Sequence, residues 1–146
     1  MIEIRKAAID DMAGILHLVK ELAAYEKAPE QVTANLRAYQ DAFSKGVFDA
    51  LVAEVDDRIV GTGIYYLTWS TWKGRMLYLE DLVVHAAERR NGIGQKLFDA
   101  FLEEARNLNC VMVKWQVLDW NEPALKFYEG NGATIEKEWW NGKIIF

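Results

Sequence analysis

The sequence predicts a mixed α/β domain with its elements in the order βααβββαβαββ. Three observations lead there. Apolar and polar residues alternate in several short runs, as strands require. Two longer runs instead space their apolar residues at the helical period. Glycines, an Asp-Asp, an Asn-Gly and a proline fall between these runs, where turns belong. At 146 residues the chain is expected to form one domain with a real core.

Residues 2–6 alternate and read as a first strand. Asp10 or Asp11 is placed to cap a helix whose apolar stripe is Met12, Ile15, Leu16, Val19, Leu22 and Ala23, ending between Tyr25 and Pro29. A second helix is expected to start after Thr33 and run to Phe43, broken by Gly46. Residues 47–55 form a strand, Asp56-Asp57 turns it, and residues 59–69 form the next. Gly74 separates that strand from a central one at 75–84. A helix after Gly94 runs to Asn109, with Leu97, Phe101, Leu102, Ala105 and Leu108 facing the core. Residues 111–118 are a strand, and Pro123 suits the first turn of a short helix ending between Tyr128 and Gly130. Residues 134–140 and 143–146, joined by Asn141-Gly142, complete the order as a hairpin. No linker, repeat or low-complexity tract interrupts it.

Composition narrows the function. A hydrophobic fraction of 51% with 27% charged residues is that of a soluble globular protein. No apolar run approaches the roughly 20 residues of a membrane span, and the N-terminus lacks a signal-peptide core, so no membrane role is expected. The single cysteine, Cys110, excludes an internal disulfide and fits a reducing compartment. With His17 and His85 far apart, no usual metal constellation exists. A net charge of −5 disfavours a nucleic-acid partner and favours a cationic substrate.

One segment points to a ligand. Arg89-Arg90-Asn91-Gly92-Ile93-Gly94 lies between the central strand and the long helix. Glycine allows close backbone approach. The first N–H groups of a helix lack internal partners and sit at the positive end of its dipole, so they can hold a phosphate. A dinucleotide fingerprint needs a third Gly or Ala where Leu97 stands. A P-loop needs Gly-Lys-Ser/Thr, whereas the chain has Gly94-Gln95-Lys96. Neither fits, and a glycine pair before a helix also serves simply as loop and cap.

Its neighbours are more specific. The R-x-x-G-x-G pattern from Arg89 to Gly94 resembles the turn with which GNAT acyltransferases wrap the pyrophosphate of acetyl-CoA. Three further segments resemble the diamine (spermidine/spermine) acetyltransferases of that superfamily: Lys20-Glu21-Leu22-Ala23-Ala24-Tyr25-Glu26, Leu77-Tyr78-Leu79-Glu80-Asp81, and Asp119-Trp120-Asn121-Glu122-Pro123 with Phe127-Tyr128. The resemblance covers nearly the whole chain. It implies a GNAT fold, with a mixed, mostly antiparallel central sheet flanked by helices. It also implies acetyl-CoA as co-substrate without a metal, direct transfer to a small-molecule amine, and a cytoplasmic homodimer with active sites near its interface.

Roles follow from the chemistry and the resemblance together. A lysine-like amine has a pKa of about 10.4, so only about one molecule in a few thousand is neutral at pH 7. Glu80 is the candidate to take its proton, directly or through water. Adjacent strand residues point to opposite faces, so within an apolar run at least one of Glu80 and Asp81 needs a reason to be there. A nearby carboxylate also stabilises the charged amine, so binding and deprotonation oppose each other. Tyr128 occupies the family's position for the general acid to the CoA thiolate. Leu82, Val83 and Val84 are expected to offer backbone groups to pantetheine, as an added strand would use them. Arg90, Asn91, Gly92, Ile93, Gly94 and Gln95 would hold the pyrophosphate, with Arg89 acting by charge. Asn121, followed by Glu122, Pro123 and Ala124, can cap a helix or bond the pantetheine amides.

The resemblance places Tyr25, Glu26 and Asp81 near the amine, with Glu138 as a further contact on a looser match. Trp69 and Trp72 can pack on an aliphatic amine, or can serve the core or a dimer contact. Polyamine-acetylating members carry Asp-Pro before the loop tryptophan, but this chain has Ser70-Thr71-Trp72, and Leu118 stands three residues before Asn121. That combination looks more like the thialysine N-epsilon-acetyltransferase branch. Losing the acidic residue removes an anchor for a distal ammonium and suits a shorter zwitterion. The sequence ends at Phe146, short of the family's usual tail, with a weaker dimer contact or an open substrate edge expected. Two alternatives stand beside this reading: acetylation of a protein lysine or N-terminus, and a CoA-binding sensor without turnover.

Overall fold

A computed structural model describes all residues, Met1–Phe146. They form two compact units, Met1–Trp115 and Gln116–Phe146. The first contains β1 (Ile2–Lys6), α1 (Met12–Tyr25), α2 (Leu36–Ser44), β2 (Asp49–Val55), β3 (Arg58–Ser70), β4 (Gly74–Val84), α3 (Ile93–Asn107) and β5 (Met112–Trp115). The second contains α4 (Glu122–Gly130). The five strands lie in sequence order in one sheet. The three pairings from β1 to β4 are antiparallel, and β4–β5 is parallel.

Each face of the sheet is covered by the stripe the sequence supplies. On one face Met12 and Ile15 of α1 pack with Ala50, Val52 and Ile64, and Leu36, Tyr39 and Phe43 of α2 close over them. On the other, Leu97, Phe98 and Phe101 of α3 are buried, and the Phe101 ring meets Tyr65 at 5.8 Å. Leu18 and Phe98 are buried although neither belongs to the expected stripes. Gly61 lets α3 lie close on the sheet. A Cβ there would meet Leu97 at 3.0 Å, Ile93 at 3.2 Å and the Val83 carbonyl at 3.3 Å.

Three expectations need correcting. Asp11 does not cap α1. Its carboxylate instead accepts from the Ala8 amide at 2.7 Å and pairs with Arg5 at 2.8 Å, so the ion pair takes the oxygens a cap would use. The strand expected at 111–118 is only the four residues of β5. The terminal hairpin is not formed, and residues 134–146 hold no strand. An isolated hairpin is marginal in water. Trp139, Trp140, Ile144, Ile145 and Phe146 are all exposed, so no burial of large apolar groups offsets the ordering of their backbone. The favourable Asn141-Gly142 turn is not enough.

Candidate active site

β4 is divided lengthwise. β5 pairs with it only from Met76 to Leu79, whereas β3 pairs with it as far as Val84. Over residues 80–84 the edge of β4 away from β3 is therefore open. A strand with an unpaired row of N–H and C=O groups is a template for a ligand that carries amides of its own. Leu82 and Val84 turn their backbone groups to this edge, where the Val84 carbonyl accepts from Arg89 Nε at 3.2 Å, while Val83 between them faces β3.

The open edge leads into the glycine turn. After Val84 the chain makes a short helical turn at Ala86–Glu88 and reaches Arg90 at φ 72° and Gly92 at φ 76°. Gly92 caps α3 in the left-handed conformation, and its carbonyl accepts the helical bond from the Lys96 amide at 3.1 Å. The helix therefore starts at Ile93, slightly earlier than its glycines suggest. The amides of Ile93 and Gly94 lie in its first turn, where the helix supplies no acceptor. Arg89, Arg90 and Asn91 are exposed beside them. The Arg89 guanidinium is directed inward, donating to the Val84 carbonyl at 3.2 Å and lying 5.4 Å from the centre of the Tyr25 ring. Gln95 bonds Asp99 at 2.9 Å. These residues suit a pyrophosphate, because they combine backbone donors, a helix N-terminus and positive charge.

The lead-in to the turn is tied to α1. The Glu21 carboxylate accepts from the Ala86 amide at 2.8 Å and lies 2.8 Å from His85 Nδ1. Burial works against its charge, but the bonds to His85 and Ala86 prevail and hold it below the ordinary glutamate range.

The carboxylates do not lie as simple alternation demands. Leu79 stands opposite Tyr65 and Asp81 opposite Ile64, so Glu80 is an extra residue in a β-bulge. The bulge brings both carboxylates to the α1–α2 face, in place of the opposite faces expected. Asp81 is opposite Ile64 on that face, and the Tyr66 hydroxyl, two residues along β3, donates to Glu80 Oε1 at 2.7 Å. The Tyr66 ring stacks on Tyr78, with centres 5.4 Å apart and planes 14° from parallel.

The result is an acidic cluster bordered by tyrosines. Burial, then the charges of Glu80 and Glu26, push the Asp81 carboxyl up to about 7. Burial raises Glu26 as well. Burial followed by Asp81 and Glu80 raises Tyr39, and burial followed by Glu80 and Asp81 raises Tyr78. A site where burial raises Asp81 and Glu26 gains by receiving a cation.

Other expected residues are distributed differently. Glu26 joins the acidic cluster, while its neighbour Tyr25 meets Arg89 of the turn. Ser70 ends β3, and Thr71 and Trp72 form the β3–β4 turn, with Trp72 84% exposed. Along β4 that turn is roughly 20 Å from Glu80 at the usual strand rise. In the second unit the Asn121 side chain caps α4 by accepting from the Ala124 amide at 3.3 Å, with Glu122 and Pro123 in the first turn. Tyr128 is buried on α4, its ring centre 5.3 Å from that of Phe127. Leu118 is partly exposed and Glu138 exposed. No group of three His, Cys, Asp or Glu residues is placed to hold a metal, and no helix is long and apolar enough to cross a membrane. Sequence reasoning missed Glu21, Tyr39 and Tyr66, because only the strand register and the packing of α1 and α2 bring them here.

The model of the acetyltransferase (GNAT) family matches residues 15–133, and the chain belongs to that family. It is a GNAT-type N-acetyltransferase, and membership implies use of acetyl-CoA. It is 39% identical to the thialysine N-epsilon-acetyltransferase of Bos taurus, over 94% of this chain and 88% of that protein. The Mus musculus protein of that name is 38% identical with the same coverage. The spermidine/spermine N(1)-acetyltransferase-like protein 1 of Homo sapiens is 35% identical over 94% of this chain and 21% of its own length. Among solved structures, an aminoglycoside acetyltransferase from an uncultured soil metagenomic sample superposes with a TM-score of 0.82. It is 22% identical, covering 99% of this chain and 96% of that one, and shares the fold.

Proposed function

We propose that the protein transfers the acetyl group of acetyl-CoA directly to a primary amine of a small molecule, a thialysine- or lysine-like amino acid before a diamine or polyamine. The observation that carries this is the pair of carboxylates on the β4 bulge, where the open backbone edge that leads into the glycine turn begins. The relatives' names favour the thialysine-like acceptor. The family match spans both compact units, which supports one acetyltransferase domain over residues 1–146.

Each group has a task. The backbone at Leu82, Val83 and Val84 binds the pantetheine amides, and the resemblance assigns Asn121 and the first turn of α4 to the same cofactor. The turn from Arg90 to Gln95 binds the pyrophosphate, with Arg89 in support. Asp81 and Glu26 hold the ammonium, whereas Ser70, Thr71 and Trp72 lie too far along β4 to reach it in the same chain. For Tyr25, Leu118 and Glu138 the acceptor role rests on the resemblance alone. Glu80 accepts the amine proton, directly or through water. The freed nitrogen lone pair forms the C–N bond at the thioester carbon as the C–S bond breaks, and the nitrogen's second proton passes to solvent, which later reprotonates Tyr128. Tyr128 returns a proton to the departing sulfur. The family implies a cytoplasmic homodimer.

Thialysine, lysine, spermidine, short diamines and peptides, each with acetyl-CoA, provide the test through CoA release. Thialysine is expected to turn over with the highest kcat/KM. Spermidine far above thialysine would overturn the acceptor assignment. Preference for peptides would favour a protein acetyltransferase, and CoA binding without turnover of any amine would favour a sensor.

A further inference from the structure

Glu80 sits where the ladder does least to hold it. As the extra residue of a bulge it has no cross-strand partner, and its side chain is exposed. An exposed glutamate with three free torsions samples many rotamers. A proton acceptor has to be held close to one productive geometry. Something must therefore fix it.

Its one side-chain hydrogen bond comes from Tyr66, at 2.7 Å to Oε1. Tyr66 is itself held. It lies within β3 directly opposite Tyr78, and the two rings stack. Only Oε1 is engaged, which leaves Oε2 for an incoming N–H. We propose that Tyr66 is a positioning residue for the transfer: its hydroxyl clamps one oxygen of Glu80 and presents the other to the amine. This rests on the reading of Glu80 as proton acceptor. Burial, then the bond to Glu80, holds the Tyr66 hydroxyl far above the ordinary tyrosine range, so it remains a donor at every working pH. Asp81, Glu26, Tyr39 and Tyr78 surround the pair, and Tyr66 is the one that bonds Glu80.

The test is a double-mutant cycle with Tyr66→Phe and Glu80→Gln, read by steady-state kinetics with thialysine and acetyl-CoA and by thermal unfolding. Tyr66→Phe keeps the stacked ring and removes only the donor. Its kcat is expected to fall roughly tenfold, with the KM for acetyl-CoA and the melting temperature unchanged. Glu80→Gln is expected to lower kcat about a hundredfold. In the Glu80→Gln background, Tyr66→Phe should have no further effect, because the clamp then has no base to position. A wild-type kcat for Tyr66→Phe would overturn the clamp, as would the same fold-loss in both backgrounds. A wild-type rate for Glu80→Gln would overturn the base reading itself, a different signature. If Tyr66→Phe melts early, Tyr66→Trp provides a second ring without the hydroxyl and is expected to show the same coupling.

Discussion

The two halves of the site are built from different materials. The half assigned to the cofactor is mostly backbone: the open edge of β4, a left-handed glycine and the first turn of α3. The half assigned to the amine is side chain: Glu80, Asp81, Glu26 and the tyrosines around them. Backbone recognition needs little sequence beyond glycines and a helix start, and it tolerates changes in outward-facing side chains. Side-chain recognition depends on a few groups brought together by long-range pairing, and single changes alter it.

The largest effect that separates the halves should come from Gly94→Glu. A Cβ at Gly94 would meet only Val84, at an ordinary 3.8 Å, so a side chain fits there. A carboxylate at a helix N-terminus also favours the helix, and the fold should stand. The added charge opposes pyrophosphate, so the KM for acetyl-CoA should rise about tenfold or more while the KM for the amine stays constant. Initial rates over a matrix of both substrates measure this. Equal rises in both constants would show that the halves are not separate.

Asp81→Asn should give a smaller effect in the other half. Asp81 ionises at about 7, and the amine remains protonated on both sides of that value. Amine binding should therefore strengthen between pH 6 and pH 8 in the wild type. The variant should lose that dependence, with a KM for thialysine several-fold higher at pH 8. Stability has the opposite sign. The folded carboxyl binds its proton more tightly than the unfolded one, so the wild type loses stability as pH rises from about 4 to about 7. Asp81→Asn should escape that loss and be more stable at pH 8 by on the order of 2 kcal/mol, with little difference near pH 4. Urea unfolding at the two pH values checks it.

The same contrast governs how much could be read from the sequence. The turn from Arg89 to Gly94 was legible because glycine spacing before a helix is a local signal. So were α1, α3 and β2 to β4, whose periodicities run over whole elements. The placement of the carboxylates was not. Strict alternation sends Glu80 and Asp81 to opposite faces, and only the register against Ile64 and Tyr65 reveals the bulge that joins them. Tyr66 was hidden for the same reason, since its partner is 14 residues away across a strand pair. At the C-terminus the error ran the other way. Asn141-Gly142 is a strong local turn signal, but pairing also needs buried area, and residues 139–146 expose their large apolar groups.

The central claim is that the open edge of β4 and the first turn of α3 receive the cofactor through backbone groups. Amide hydrogen exchange with and without CoA measures those groups directly. Binding should slow exchange over residues 80–84 and 92–94 together, because bonds to the ligand would protect amides in both segments that the sheet and helix leave free. Protection elsewhere, with both segments exchanging as fast as in the free protein, would contradict it.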